Sequence, residues 1–184
     1  YQKHHKPFIA QWYESQNKWT YYTPQESIII EDADVNSIIR IGSTIYFGTM
    51  YGLLYFDLYN EEWNLIGLEH GLNDAAVWDI IEYNGSILLG TARGINEVSI
   101  VSHNVIPDDD KRYELLSTFN IYDMAADSEY FYIATNKGLY KMDWNNGILT
   151  NLSKKEFKNI SVDNKNITAA DGDIWRLNYN DEET

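Results

Sequence analysis

The sequence predicts an all-β protein built from β-propeller blades, each a sheet of four antiparallel strands, set in an incomplete ring. Three observations predict it. Residues 35–57, 77–99 and 121–143 are one unit written three times, at spacings of 42 and 44 residues. Val35-Asn36-Ser37-Ile38-Ile39 aligns without a gap to Val77-Trp78-Asp79-Ile80-Ile81 and to Ile121-Tyr122-Asp123-Met124-Ala125. A repeat of about 40–45 residues with strand-like content is the mark of a propeller blade. The second observation is that each unit divides into short apolar runs separated by Gly, Asn and Ser turns, as in a meander. The third is composition: aromatic residues make up 15% of the chain, with fifteen Tyr and six Trp, which suits pleated surfaces. No stretch carries a convincing helical period.

Residues 7–23 read as the third and fourth strands of a blade around a polar turn at 14–18, so 1–26 is the end of one blade. The first full blade covers 35–66. Its first strand at 37–41 meets the turn Gly42-Ser43, a second apolar run ends in Thr49-Met50-Tyr51-Gly52, a third strand alternates over 53–57, and a polar fourth strand spans 62–66. The second blade covers 77–118, with the turn Asn84-Gly85, the loop Thr91-Ala92-Arg93-Gly94 and a fourth strand expected at 112–118. The third covers 121–152, with the turn Ser128-Glu129, the loop Thr135-Asn136-Lys137-Gly138 and a fourth strand at 148–152. Residues 157–179 repeat the first three strands of a further, partial blade, in which Ala170-Asp171-Gly172-Asp173 replaces the Thr-x-x-Gly loop. The inner runs are apolar on consecutive residues, as expected of strands covered on both faces, here by neighbouring blades. Gly52, Gly94 and Gly138 each close a tight loop and are expected at positive φ.

The 184 residues form one propeller segment. Propellers hold roughly four to eight blades, and only a closed ring removes its strand edges. Three arrangements account for the shorter count: a segment of a longer propeller, a ring completed by a second copy, or two ends that share a blade in a ring of four. A chain that starts at Tyr1 without Met is expected to be a fragment or a processed product. The absence of Cys excludes disulfides and thiolate metal sites. No apolar stretch reaches the length of a membrane-spanning helix, about 18 residues. A net charge of −14 argues against nucleic acid as a partner, because phosphate binding needs a basic surface.

The run Trp63-Asn64-Leu65-Ile66-Gly67-Leu68-Glu69-His70-Gly71-Leu72, followed by Val77-Trp78-Asp79-Ile80-Ile81-Glu82 and Gly85-Ser86-Ile87-Leu88-Leu89-Gly90-Thr91-Ala92-Arg93-Gly94-Ile95, resembles the two-component-regulator propeller repeat. That repeat has a Trp, a short strand, Gly-Leu, a first strand, a Gly turn and a strand ending Gly-Thr-x-x-Gly-Leu. Gly-Thr-x-x-Gly occurs at 48–52 and 90–94, and Ala134 replaces the first Gly in the third copy. The resemblance implies an extracytoplasmic sensing region, periplasmic or secreted, of a bacterial two-component regulator. It assigns no kinase function, since neither catalytic nor membrane parts of such a sensor lie in this sequence.

In a blade of four antiparallel strands the second-to-third loops and the blade-to-blade loops emerge on one face. That places Tyr51, Arg93 and Lys137, at one repeat position, beside Asn73, Asp74 and Asn120 and the loops 30–34, 69–75 and 117–120. Aromatic and cationic groups so arranged suit an anionic sugar or another ligand, through stacking and charge-assisted hydrogen bonds. The plainer reading is exposed turn residues around a structural Gly. Asp79 and Asp123 recur at one inner-strand position, either lining a central channel or bonded to backbone amides. Asp108-Asp109-Asp110 lacks the spacing of a calcium loop, and His4, His5, His70 and His103 lack metal-ligand spacing. No catalytic residue, metal or cofactor is expected, because no nucleophile, metal or phosphate-loop motif is present. The expected partners are a small-molecule or oligosaccharide ligand, or a protein, together with further blades from the same longer chain or a second copy. The rival classes are a propeller-fold glycosidase or lyase and a structural docking module of a secreted protein. A deep acidic pair would favour the enzyme and a flat apolar patch the docking module.

Overall fold

The computed structural model describes residues 9–22, 34–163 and 166–178. Every consecutive strand pair within a sheet is antiparallel. β1 (Ile9–Tyr13) and β2 (Lys18–Tyr22) form a hairpin. β3 (Val35–Ile41), β4 (Thr44–Thr49), β5 (Gly52–Asp57) and β6 (Glu62–Ile66) form the first four-stranded blade. β7 (Val77–Tyr83), β8 (Ser86–Thr91), β9 (Gly94–Ser99) and β10 (Val105–Ile106) form the second. β11 (Ile121–Ala126), β12 (Tyr130–Thr135), β13 (Gly138–Asp143) and β14 (Leu149–Ser153) form the third. β15 (Asn159–Asp163), β16 (Asn166–Ala170) and β17 (Ile174–Asn178) make a three-stranded sheet. The fold is an all-β propeller segment whose ring is not closed. The helical content of the described residues is confined to 3-10 turns at Glu14–Gln16, Leu68–His70 and Glu114–Leu116.

The core lies between blades, which explains the continuous apolar runs. β4 is buried along its whole length, and in β8 only Ser86 is half-buried. Tyr46, Leu53 and Ile66 of the first blade meet Val77, Ile80, Ile87, Leu89 and Val98 of the second. The opposite side of the second blade sends Leu88 and Ile95 against Ile121, Met124, Phe131 and Ile133 of the third. Each middle strand therefore faces two cores at once, and alternation is lost.

The joint between blades is built into the first strands. β3, β7 and β11 each carry a bulge, at Asn36, Trp78 and Tyr122, where the register against the second strand slips by one residue. A bulge bends the strand and re-aims the side chain that follows it. Those side chains are Ser37, Asp79 and Asp123. Ser37 Oγ donates to Asp79 Oδ1 at 3.1 Å, Asp79 Oδ2 accepts from the Met124 amide at 2.9 Å, and Asp123 Oδ2 accepts from the Ile160 amide at 2.6 Å. The recurring aspartates thus staple each blade to the next through backbone amides. Burial pushes the Asp123 carboxyl up to about 7, against the pull of the Ile160 amide, with the Asp79 charge adding to the rise. The first Gly of the motif serves the same joint. A Cβ on Gly90 would stand 2.9 Å from Ile121 Cγ2 and one on Gly48 3.1 Å from Val77 Cγ1.

One predicted strand is corrected. The fourth strand of the second blade is β10, two residues long and paired as Val105↔Val98 and Ile106↔Glu97, and 112–118 instead holds the 3-10 turn Glu114–Leu116. The strand was expected by analogy with the polar fourth strands of the other blades, whereas Tyr113 and Leu116 are buried and pack from a loop rather than pairing along β9. Asp108 organises that loop. Its two oxygens accept from the Arg112 and Tyr113 amides, each at 2.8 Å.

Candidate functional site

The three Thr-x-x-Gly loops share one construction. The Thr hydroxyl donates to the Gly carbonyl, at 2.8 Å from Thr49 to Gly52, 2.8 Å from Thr91 to Gly94 and 2.9 Å from Thr135 to Gly138. The same oxygen accepts the amide of the residue before the Gly, at 3.0, 3.1 and 2.9 Å for Tyr51, Arg93 and Lys137. Gly52, Gly94 and Gly138 stand at φ of 126°, 82° and 127°, the positive values expected from the turn. All three tip residues are exposed.

The blade-to-blade loops lie beside these tips. Ala92 N–H donates to the Ala76 carbonyl at 3.1 Å, Gly94 N–H to Phe119 at 2.8 Å and Asn136 N–H to Asn120 at 3.1 Å. Arg93 Nε reaches Asp74 Oδ2 at 3.8 Å across an exposed gap, and Asp74 Oδ1 accepts from the Ala76 amide at 2.9 Å. Asn120 N–H donates to Asn136 Oδ1 at 3.0 Å, next to Lys137, and Asn120 Oδ1 is buried with no hydrogen-bond partner. The structure therefore brings Arg93 to Asp74, and Asn120 to the Lys137 loop. The loop 30–34 expected beside Tyr51 lies, except for Asp34, outside the described residues. Asn73 does other work: its amide donates to Asn96 Oδ1 at 2.8 Å and its Nδ2 to the Ile95 carbonyl at 3.2 Å.

A cleft of about 250 Å³ opens below Asn73, where the second blade lacks a full fourth strand. Its polar walls include Asn96, Glu97 and Tyr113, whose hydroxyl donates to Glu97 Oε2 at 3.4 Å. Burial, then the Glu97 charge, raises the Tyr113 phenol well above its ordinary value. The sequence pattern did not single out this cleft, although Pro107 and the acidic run 108–110 mark the insertion that makes it. Among the described residues no cluster of three or more His, Asp or Glu is placed to hold a metal. His4 and His5 lie outside those residues. His70 Nδ1 accepts from the Gly67 amide at 3.0 Å, and His103 Nε2 bonds the buried Tyr46 hydroxyl at 2.9 Å.

No protein-family model matches the sequence, and no curated protein matches it. Solved structures do. The extracellular domain of the hybrid two-component system BT3049 from B. thetaiotaomicron aligns with a TM-score of 0.69 at 18% identity, over 95% of this chain and 25% of that one. The corresponding domain of BT4673 from the same organism aligns at 0.67 and 19% identity, over 82% of this chain and 21% of that one. The Cps50 (Swd1) β-propeller of Myceliophteria thermophila aligns at 0.60 and 14% identity, over 89% and 60%. The chain spans about a quarter or less of the two bacterial domains it resembles. The likeness defines the fold as a β-propeller, and the bacterial matches fall in the class of proteins that the repeat motif resembles. No helix among the described residues is long and apolar enough to cross a membrane.

Proposed function

We propose that this chain is a non-catalytic, ligand- or protein-binding propeller segment from the extracytoplasmic sensing region of a bacterial two-component regulator. The observation that carries the reading is the repeated loop. Three Thr-locked hairpins present Tyr51, Arg93 and Lys137 at one repeat position, all exposed, with Arg93 near Asp74 at 3.8 Å. The loops bearing Asp74 and Asn120 stand beside them, and the Asn120 acceptor lacks a partner. Hydrogen-bond donors, a cation and an aromatic ring on one face suit an acidic oligosaccharide. The resemblance to sensor propellers supports the location and the role.

Calorimetric titration of the intact propeller with acidic oligosaccharides tests the face. Replacing Tyr51, Arg93 and Lys137 together by Ala should weaken binding by about tenfold or more, and unchanged affinity would place the site elsewhere. The full-length gene product tests the role: a downstream membrane helix and kinase core support a sensor, and a secreted catalytic domain overturns it.

A further inference from the structure

We propose that the joint between the second and third blades is a proton-operated latch, in which one proton shared by Asp79 and Asp123 holds the two inner strands together and its loss loosens that joint. The geometry follows from the bulges at Trp78 and Tyr122, which re-aim the two aspartates. Asp79 Oδ2 and Asp123 Oδ1 converge on a single donor, the Met124 amide, at 2.9 and 3.0 Å. The two carboxyls are also within hydrogen-bonding reach of each other, and both side chains are half-buried. One N–H cannot offset two negative charges in such a place, whereas a proton between the two oxygens turns their repulsion into a hydrogen bond.

The remaining oxygens of the pair are engaged. Asp79 Oδ1 accepts from the Ser37 hydroxyl at 3.1 Å and Asp123 Oδ2 from the Ile160 amide at 2.6 Å. The flanking joints are built differently at the same place. Between the first and second blades Ser37 brings a hydroxyl hydrogen to Asp79. Between the third blade and the last sheet Asn159 holds the aspartate position. Among the described joints, acid meets acid only between the second and third blades. The other titratable groups on the strands around the pair have partners of their own or face solvent. Arg40 of β3 donates to the Gly42 carbonyl at 3.1 Å, Tyr46 of β4 bonds His103, and Tyr132 of β12 donates to Asp127 at 3.0 Å. Tyr130 of β12 lies under Lys141. Glu82 of β7 and Asp163 of β15 are exposed. Lys158, just before β15, is drawn to Glu156 and to the Tyr122 ring.

Burial, with the Asp79 charge adding to it, pushes Asp123 up to about 7 against the pull of the Ile160 amide. The closed joint therefore binds the proton more tightly than the open one, so the latch is shut in mild acid and opens as pH rises through that value. Arg93 sits on a loop of the second blade and Lys137 on a loop of the third, so an opened joint changes the spacing between these two tips. The latch stands whether or not the tips bind a ligand.

Carboxyl 13C and amide NMR of the labelled protein, from about pH 5 to about pH 9, tests it. The Asp123 carboxyl carbon should titrate about pH 7, and the Asp79 carbon should respond in the same step because the proton is shared. Across that step the protection of the Met124 amide from hydrogen exchange, corrected for the intrinsic rate, should fall about tenfold or more. The Leu54 amide of β5, in the first blade, should lose less. Asp79→Asn places an amide nitrogen where the proton was and should keep Met124 protected throughout. Asp123→Asn does the same from the other side. An Asp123 carbon that titrates in the ordinary carboxylate range, an equal loss at Met124 and Leu54, or a pH dependence that survives both substitutions overturns the proposal. So does calcium at millimolar concentration that restores Met124 protection at the alkaline end, which would make the pair a cation site.

Discussion

At Gly138 the backbone stands at φ 127°, and a Cβ would lie 2.1 Å from the Ser153 carbonyl oxygen, whereas at Gly94 φ is 82° and the same contact, with Leu116, is 2.9 Å. Both sites require left-handed backbone, but only the first also demands that a paired strand move. Gly94→Ala should cost about 1–2 kcal/mol and Gly138→Ala clearly more, on the order of 3 kcal/mol, read as the difference in urea unfolding free energy. Asp108 gives a second residue-scale test. Its carboxylate closes the insertion through two amides, so Asp108→Ala should cost about 1–2 kcal/mol. Added calcium should leave the Tm of the unaltered protein where it was. The glycines were legible in the sequence because a fixed spacing repeated three times constrains the backbone. The duty of Asp108 was not, since an acidic run looks the same whether its oxygens meet water or amides.

Between elements, the aspartate staples decide how firmly one blade holds the next. Asp123 is raised to about 7 in the folded protein from an ordinary value near 3.8, chiefly by burial. The folded state then binds the proton more tightly than the unfolded one. Its contribution to stability is full below about pH 3.8 and is lost as pH rises through about 7. Asp123→Asn should remove this part of the pH dependence, so the unfolding midpoint of the variant should fall less than that of the parent between about pH 4 and pH 7. Parallel profiles for the two proteins would show that Asp123 carries no such burden. The repeat made the recurrence of Asp79 and Asp123 visible, but not the bulge that aims them. A one-residue slip at Asn36, Trp78 and Tyr122 leaves no compositional trace. The error at 112–118 has a different origin. The buried pair Tyr113 and Leu116 stands three residues apart, the spacing of a 3-10 turn and not of a strand, and the expected strand followed the place of the fourth strand in the other blades.

At the scale of the whole molecule, the main contacts between sheets among the described residues run between neighbours in sequence: β3 on β7, β7 on β11, β11 on β15. Stability in a row of such sheets is a sum of unit terms and nearest-neighbour interfaces. Native-state hydrogen exchange should therefore be graded along the sequence. The Ile87, Leu88 and Leu89 amides of β8, between two cores, should exchange slowest. The hairpin β1–β2 should exchange fastest, since it turns Trp12, Trp19 and Tyr21 to solvent. Uniform protection across both would show a single cooperative unit instead. The blade count and strand order were legible because they are written three times. The candidate site was legible in part: position in the repeat located the tips, the contact of Arg93 with Asp74 came from the fold, and the cleft arose where the repeat is broken.

The Thr lock has a further consequence. It uses a hydroxyl, a glycine carbonyl and an amide that any residue possesses, so the side chain just before the glycine bears none of the weight of the architecture. Tyrosine, arginine and lysine occupy it in turn without disturbing the strands beneath. Selection can rewrite what this surface presents one letter at a time, much as the type in a press is changed while the frame stays bolted.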